Sequence, residues 1–164
     1  MSVRDAADSD RDGVWAVLEP VIRAGETFAF DPATRRDDAL ASWFGPKARV
    51  FVAERVGRVV GTAWVRPNQP GLGSHVANAS FAVAPAARGL GVGRALALQA
   101  LLEAERLGYR AMQFNLVVAT NQAAIELWRS LGFDEVGRLP EAFRLRGERY
   151  VDALVMRRDL GPRS

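Results

Sequence analysis

A glycine-rich segment near the middle of the chain has the composition of an anion-binding turn. It reads RGLGVGR over residues 88–94, between a strand-like run that stops at Pro85 and a helix-like run that starts near Val92. Glycines this close together permit positive φ and leave backbone N–H groups uncovered by side chains. The first N–H groups of a helix have no intrahelical partner, and the helix dipole adds positive charge there. With Arg88 and Arg94 alongside, the segment predicts a diphosphate site.

The glycine spacing separates this turn from two other phosphate-binding motifs. A P-loop needs a Lys-Ser or Lys-Thr pair, and the only lysine, Lys47, is followed by alanine. A dinucleotide fingerprint needs GxGxxG in a βαβ unit, with an acidic residue about 20 residues further on. Here the spacing is GxGxG. The pattern that remains is R-x-x-G-x-G over residues 88–93, directly after a V-x-P strand end.

A second motif begins at Asn121. Apolar residues then recur at helical spacing, and Gly132-Phe133 ends the run. The members of this apolar stripe are Ala124, Leu127, Trp128 and Leu131. Such a stripe packs one face of a helix on the core, and an asparagine at the helix start can cap the helix or contact a ligand.

Composition excludes several classes of protein. The chain has 164 residues, of which 49% are apolar and 25% charged, as in one globular domain, and we expect that domain to span residues 1–164. There is no cysteine, which excludes a thiol nucleophile, a disulfide framework and a cysteine metal site. The single histidine, His75, leaves too few ligands for a zinc cluster, so no metal is expected.

The charge pattern argues against nucleic-acid and membrane partners. The net charge is +3 and the basic residues are nearly all arginine, but they are scattered among acidic residues with no run of five or more. No apolar run is long enough to cross a bilayer, and the acidic start over residues 1–11 does not resemble a secretory signal. We therefore expect a cytoplasmic protein.

The elements that must position the two motifs follow from apolar periodicity and turn residues. We expect strands near residues 2–4, 50–53, 59–65, 75–83, 111–118, 133–138 and 149–156. We expect a helix capped by Asp8 or Ser9 and further helices over residues 33–43, 95–107 and 121–131. Val56-Gly57 joins two strands as a hairpin turn. A mixed sheet with helices on both faces is the natural packing.

The two motifs together resemble the GNAT superfamily of N-acetyltransferases, over roughly residues 48–160. The resemblance implies an α/β fold with a mixed, mostly antiparallel central sheet that splays between two strands. It also implies acetyl-CoA as the cofactor, with the thioester lying between the strand over residues 78–83 and the strand over residues 112–118. An amine would attack the thioester directly in a ternary complex, without a covalent enzyme intermediate.

The resemblance also implies which residues hold the cofactor. The pantetheine arm would pair with the backbone of Phe81 and Val83, and the Val83 N–H would polarise the thioester carbonyl. The expected cofactor-binding residues are Phe81, Ala82, Val83, Arg88, Gly89, Leu90, Gly91, Val92, Gly93, Arg94, Asn121 and Trp128.

The chain departs from the family pattern at its proton-handling residues. Many members have tyrosine where Trp128 stands, as the acid that protonates the departing thiolate, and an indole N–H is a donor only. A water must take that role, or Tyr150 if the last strands fold over the cleft. The usual carboxylate is also missing from residues 75–80. Glu26, in a loop that can cover the site, and His75 are the remaining base candidates.

Two asparagines suggest a polar pocket. Asn78 and Asn115 lie on the two strands expected to splay, and a buried amide must be satisfied. They can hold the substrate and activate its amine by hydrogen bonding, in which case both are catalytic together with Val83. Alternatively, each amide ties a loop or bridges a water. The expected substrate-binding residues are Glu26, Phe28, Asn78 and Asn115.

The acceptor is expected to be a small-molecule amine. The spacing of Asn78, Asn115, Asn121 and Trp128 resembles acetyltransferases that act on proline analogues such as azetidine-2-carboxylate, and more loosely amino-acid N-acyltransferases. A small cyclic imino acid or α-amino acid is therefore implied. A protein N-terminal acetyltransferase and a non-catalytic acyl-CoA sensor are the alternatives. If a homodimer forms, the strand over residues 150–156 can pair across it.

Overall fold

Seven strands form one sheet in the computed structural model, which describes residues 1–161. The strands are β1 (Ser2–Asp5), β2 (Arg49–Arg55), β3 (Arg58–Pro67), β4 (Val76–Val83), β5 (Ala111–Val118), β6 (Asp134–Leu145) and β7 (Arg149–Asp159). Their order in the sheet is β1-β2-β3-β4-β5-β7-β6. All neighbours run antiparallel except β4 and β5, which are parallel. The mixed, mostly antiparallel sheet predicted from the sequence is confirmed.

Four helices cover the two faces of this sheet. They are α1 (Arg11–Ala24), α2 (Arg36–Trp43), α3 (Val92–Arg106) and α4 (Gln122–Ser130). The apolar sides of α1 and α2 pack on one face with Val52 and Trp64. The apolar sides of α3 and α4 pack on the other face with Met112 and Phe114. No helix within residues 1–161 is long and apolar enough to cross a membrane.

Two helices begin later than the sequence suggested. The Asp10 carboxylate accepts a hydrogen bond from the Ala7 N–H at 2.7 Å and pairs with Arg4, so residues 8–10 form a separate 3-10 turn before α1. Likewise, the Asp31 carboxylate accepts from the Ala33 N–H at 2.7 Å and holds a turn before α2. Aspartate side chains that bond to nearby backbone stabilise turns and caps of this kind, so each turn precedes its α-helix.

The last hairpin is longer than predicted. The sequence predicted a strand over residues 133–138, but β6 continues to Leu145 through Pro140. A proline is tolerated because β6 is the outer strand of the sheet and its register against β7 shifts between Leu139 and Phe143. The hairpin turns at Arg146 and Gly147, both with positive φ.

The sheet is interrupted between β4 and β5. These strands pair at only two positions, Val76 with Ala111 and Ala77 with Met112. Beyond Ala77 the strands have no further paired residues, whereas β4 remains fully paired to β3 as far as Val83. This is the splay expected from the sequence, and it leaves one edge of β4 open.

Candidate active site

Two cavities meet at the splay. The first, called here the asparagine cleft, has a volume of ≈ 460 Å³ and is lined by residues of β3, β4, β5 and the loop over residues 27–30. The second, called here the glycine cleft, has a volume of ≈ 840 Å³ and runs along the start of α3. The residues that line both are Thr27, Phe81, Asn121, Ala124 and Trp128. A molecule in one cleft can therefore contact a molecule in the other.

The start of α3 gives the glycine cleft its anion-binding character. Gly91 is the N-cap at φ +81°, and the first intrahelical bond runs from Ala95 N–H to the Gly91 carbonyl at 3.0 Å. The N–H groups of residues 92–94 therefore lack intrahelical partners. A Cβ atom added at Gly91 would meet no atom within 4 Å, so the turn is open to the cleft rather than filled by side chains. This cradle fits a diphosphate.

Nearly all of the predicted cofactor-binding residues line the glycine cleft. The exception is Leu90, whose side chain is 50% exposed and lies outside the lining. The turn presents Gly89 and Gly91 to the cleft and the Leu90 side chain to solvent.

The open edge of β4 faces both clefts. Hydrogen bonds from Asn68 N–H to the Val76 carbonyl (2.8 Å) and from Ala84 N–H to the Val60 carbonyl (2.8 Å) mark the two ends of the β3–β4 ladder. Between them the register is regular. Bonded and non-bonded pairs alternate in such a ladder, so the N–H groups of Phe81 and Val83 point away from β3. Two main-chain donors are thus directed into the splay.

Aromatic rings hold the junction of the clefts. The Trp128 ring lies with its centroid 4.8 Å from Phe81 and 4.6 Å from Phe114. Asn121 caps α4, because its side-chain oxygen accepts from the Ala124 N–H at 3.3 Å. The cap predicted at Asn121 is confirmed, and it fixes the helix that carries Trp128.

Asn78 and Asn115 both line the asparagine cleft, but their amides are used differently. The Asn78 side-chain oxygen accepts a hydrogen bond from the Ala79 N–H at 2.8 Å. The Asn78 NH₂ group takes no part in that bond. Asn115 is exposed rather than buried, which corrects the sequence interpretation. Its NH₂ donates to the Asn68 side chain at 2.6 Å and its oxygen accepts from Gln113 at 3.2 Å. The amide of Asn115 therefore ties down the β3–β4 loop.

The loop over residues 27–30 forms a wall of the asparagine cleft. Phe28, a predicted substrate contact, lies in this wall with its ring 5.7 Å from Trp43, and Trp43 in turn lies 6.1 Å from Trp64. The Trp43 indole N–H donates to the buried Thr62 hydroxyl at 3.0 Å. These contacts fix the loop on α2 and β3.

None of the three other candidates for proton transfer lines the asparagine cleft. Glu26 lines the glycine cleft, not the asparagine cleft, and forms an ion pair with Arg146 at 2.6 Å. Tyr150 is 62% exposed and lines neither cleft, because the β6–β7 hairpin directs it to solvent. His75 is exposed at the start of β4, also outside both linings.

Sequence reasoning missed three residues of the asparagine cleft. Trp64 and Arg66 lie on β3, and the Arg66 guanidinium carbon lies 3.8 Å from the Trp64 ring centroid. Thr27 has a buried hydroxyl with no hydrogen-bond partner in the described part of the chain. The first two enter the cleft through the strand register, because Trp64 faces Ser80 and Arg66 faces Asn78 across the ladder, and no local feature of the sequence gives that register.

The chain matches known sequences and structures. Residues 16–133 match the model of the acetyltransferase (GNAT) family. The chain is 44% identical over 98 residues to N-acetyltransferase aca1 of Schizosaccharomyces pombe, a match that covers 59% of this chain but only 47% of that longer relative. It is 31% identical over 168 residues to an L-methionine sulfoximine/L-methionine sulfone acetyltransferase of Pseudomonas aeruginosa, with 98% and 95% of the two chains covered.

Two solved structures have the same architecture. A GCN5-related N-acetyltransferase from Kribbella flavida is 47% identical with a TM-score of 0.91, and 97% of each chain is covered. The acetyltransferase yncA from Salmonella typhimurium, solved with acetyl-CoA, is 25% identical with a TM-score of 0.87, over 100% of this chain and 96% of that one. The chain therefore belongs to the acetyltransferase (GNAT) family.

Proposed function

We propose that this protein transfers an acetyl group from acetyl-CoA to the amine of a small amino acid or cyclic imino acid. The observation that carries the proposal is the meeting of the two clefts at the splay, where they share Phe81, Asn121 and Trp128. A donor in one cleft and an acceptor in the other would be in contact there. Holding two reactants together in this way supplies a large part of the rate enhancement.

The glycine cleft is the donor side of the proposal. The free N–H groups at the start of α3 would hold the diphosphate of acetyl-CoA, with Arg88 and Arg94 adding charge. The open edge of β4 would pair with the pantetheine amides. Bound acetyl-CoA supplies the acyl group as an activated thioester, and the N–H of Val83 is the donor that we assign to its carbonyl oxygen.

The chemistry needs the side chains for positioning and for the transfer of one proton. The lone pair of the amine forms the new C–N bond at the acyl carbon, the C–S bond breaks, and one proton passes from the amine to the sulfur. Trp128 cannot accept that proton, since an indole N–H is only a donor. We assign to Trp128 the packing of the pantetheine end against Phe81 and Phe114, at the ring distances given above.

The asparagine cleft is the acceptor side. Its volume of ≈ 460 Å³ suits a small molecule, and its lining combines aromatic side chains with a few polar groups. The methionine sulfoximine/methionine sulfone relative bears the name of an enzyme with an amino-acid-like acceptor. The spacing of Asn78, Asn115, Asn121 and Trp128 resembles that of acetyltransferases that act on proline analogues. Among amino-acid-like acceptors, this resemblance favours an imino acid such as azetidine-2-carboxylate.

A protein N-terminus is a less favourable acceptor on this scaffold. The tip of the β6–β7 hairpin contacts the end of α1, since Arg146 N–H donates to the Gly25 carbonyl at 2.8 Å and its side chain pairs with Glu26. A Cβ atom at Gly25 would lie 3.2 Å from the Arg146 Cα, so the two backbones are in close contact. This contact narrows the route that an extended peptide would need.

The test is a survey of acceptors with acetyl-CoA. Purified protein is incubated with acetyl-CoA and one of several imino acids, α-amino acids, simple amines or short peptides, and thiol release is followed. We expect turnover with imino or amino acids and weak turnover with peptides. Preference for peptides would favour the N-terminal acetyltransferase. Tight CoA binding without turnover on any acceptor would favour the acyl-CoA sensor.

A further inference from the structure

Arg66 lies in the asparagine cleft without a counter-ion. Its guanidinium forms no ion pair with any residue in the range 1–161, whereas Arg49, Arg138 and Arg146 each pair with a carboxylate. The Arg66 side chain is partly buried, and this burial lowers its pKa. A cation removed from water is costly unless an anion compensates it. The cleft therefore presents a partly buried cation that no carboxylate of residues 1–161 neutralises.

Trp64 fixes how this guanidinium is presented. The Arg66 guanidinium carbon lies 3.8 Å from the centre of the Trp64 ring, a cation–π contact that occupies a planar face of the guanidinium. The N–H donors of arginine lie in the guanidinium plane and remain available at its edge. Gly45 lies beside the same group, since a Cβ atom at Gly45 would be 3.7 Å from an Arg66 Nη. The side chain is thus held in place before any ligand arrives.

Asn78 presents a second donor next to Arg66. The two residues are direct partners across the β3–β4 ladder and both line the cleft. The Asn78 oxygen is already bonded to the Ala79 N–H, so the amide offers its NH₂ group to a ligand. A guanidinium edge and an amide NH₂ are both donors only. The ligand that complements them has two acceptor oxygens and a negative charge, which describes a carboxylate.

We infer that Arg66 is the carboxylate receptor of the acceptor cleft and sets the requirement for an amine that carries an adjacent carboxylate. The part of this inference that concerns acetylation of the amine rests on the proposed function. The binding of the carboxylate to Arg66 does not. Arg66 lies on β3, one strand further from the splay than Asn78. An acid held there has its α-amine on the side toward β5 and the shared junction. Polyamines and peptide N-termini lack the α-carboxylate and would not gain this contact.

The test compares acids with their amides in variants of Arg66. The acceptors are azetidine-2-carboxylate, proline and methionine sulfone, each with its carboxamide, and kcat/KM is measured by thiol release. We expect Arg66→Met to lower kcat/KM for the acids by about 100-fold, mostly through KM, and to change the amides by less than about threefold. Arg66→Lys keeps the positive charge but loses the planar set of N–H donors, so its kcat/KM for the acids should lie between those of the parent and Arg66→Met. Arg58→Met, an exposed arginine at the other end of β3, is the matched control.

Calorimetry separates this inference from the proposed function. Each acid is titrated into the complex of the protein with CoA, and CoA affinity is measured in every variant as a check of folding. Acid binding that Arg66→Met abolishes supports the receptor even if no acetyl group is transferred, an outcome that would refute only the proposed function. The inference is overturned if the parent binds no acid, or if Arg66→Met leaves the acid-to-amide ratio of kcat/KM unchanged.

Discussion

Trp128 and Thr27 lie at the junction of the two clefts, where one proton must pass from the amine to the sulfur. A tryptophan stands where many relatives have a tyrosine, and Tyr150 faces solvent instead of the cleft. Thr27 borders both clefts, and its buried hydroxyl has no partner among residues 1–161. A hydroxyl can accept one proton while donating another. Thr27 is therefore the side chain that we expect to relay the proton from amine to sulfur.

Replacing Thr27 by valine tests that role. Thr27→Val keeps the shape of the side chain and removes the hydroxyl, so we expect kcat to fall by about 100-fold. The melting temperature should stay the same or rise, because a buried polar atom without a partner is removed. Thr27→Ser is the control and should retain kcat within about threefold. Equal kcat in parent and valine variant would contradict the relay, and a lower melting temperature would indicate a structural role.

The start of α3 is the element on which we expect cofactor binding to depend. Gly91→Glu places a carboxylate at the open turn where we expect the diphosphate, so like charges should abolish detectable CoA binding. Gly91→Ala is the control, since it carries the same strain at φ +81° without the charge. Calorimetry with CoA measures both variants. Similar weakening in the two variants would attribute the effect to strain rather than to the anion site.

Glu103 joins α3 to the sheet and should make stability depend on pH. Its buried carboxylate accepts two hydrogen bonds from Arg106, at 2.6 and 2.9 Å, and lies 3.3 Å from Arg49 of β2. The bonds from Arg106, and then the charge of Arg49, lower the pKa of Glu103. A pKa lower in the folded state gives stability that is present above the unfolded value of about 4.3 and lost as pH falls below it.

The Glu103→Gln variant isolates this contribution. We expect it to be less stable than the parent at pH 7 by about 1 to 3 kcal/mol, since a hydrogen bond to a charged group is lost. Its melting temperature should also fall less steeply than that of the parent between about pH 5 and pH 3. Glu105→Gln, on the exposed side of the same helix, is the control. Parallel melting curves for parent and Glu103→Gln across this range would rule out the contribution.

At the scale of the whole molecule, the pairing of the sheet is interrupted between β4 and β5, and contacts bridge both ends of this gap. At one end β4 and β5 pair through Ala77 and Met112. At the other, the β6–β7 hairpin reaches α1 through Arg146 and Glu26. Buried apolar clusters lie on both faces of the sheet. The fold therefore exposes a backbone edge of β4 inside the sheet, in addition to the edges of the outer strands β1 and β6.

Hydrogen exchange should show this edge directly. The amides of Phe81 and Val83 point into the splay, so they should exchange fast in the free protein and slowly with CoA bound. Ser80 and Ala82 face β3 and should be protected in both states. Amide exchange measured by NMR on the same strand gives an internal control. Protection of Phe81 and Val83 without CoA would show that another group occupies the edge.

The sequence by itself predicted most of the elements and the open glycine turn at the start of α3. The glycine turn, the Asn121 cap and the alternation of strands are local features, since each depends on residues within a few positions of one another. The positions of the catalytic candidates were predicted less well. Asn115 was expected to be buried, but it is exposed and hydrogen-bonded to Asn68, 47 residues away along the chain.

Only the tertiary structure decided which residues line the asparagine cleft. Arg66 becomes part of the site because the β3–β4 register sets it opposite Asn78, and Glu26 becomes part of an ion pair because a hairpin 120 residues later in the chain reaches it. Such contacts depend on strand register and on the docking of distant elements. Local propensity carries no information about either, since a shift of one residue in register would turn Arg66 to the opposite face of the sheet.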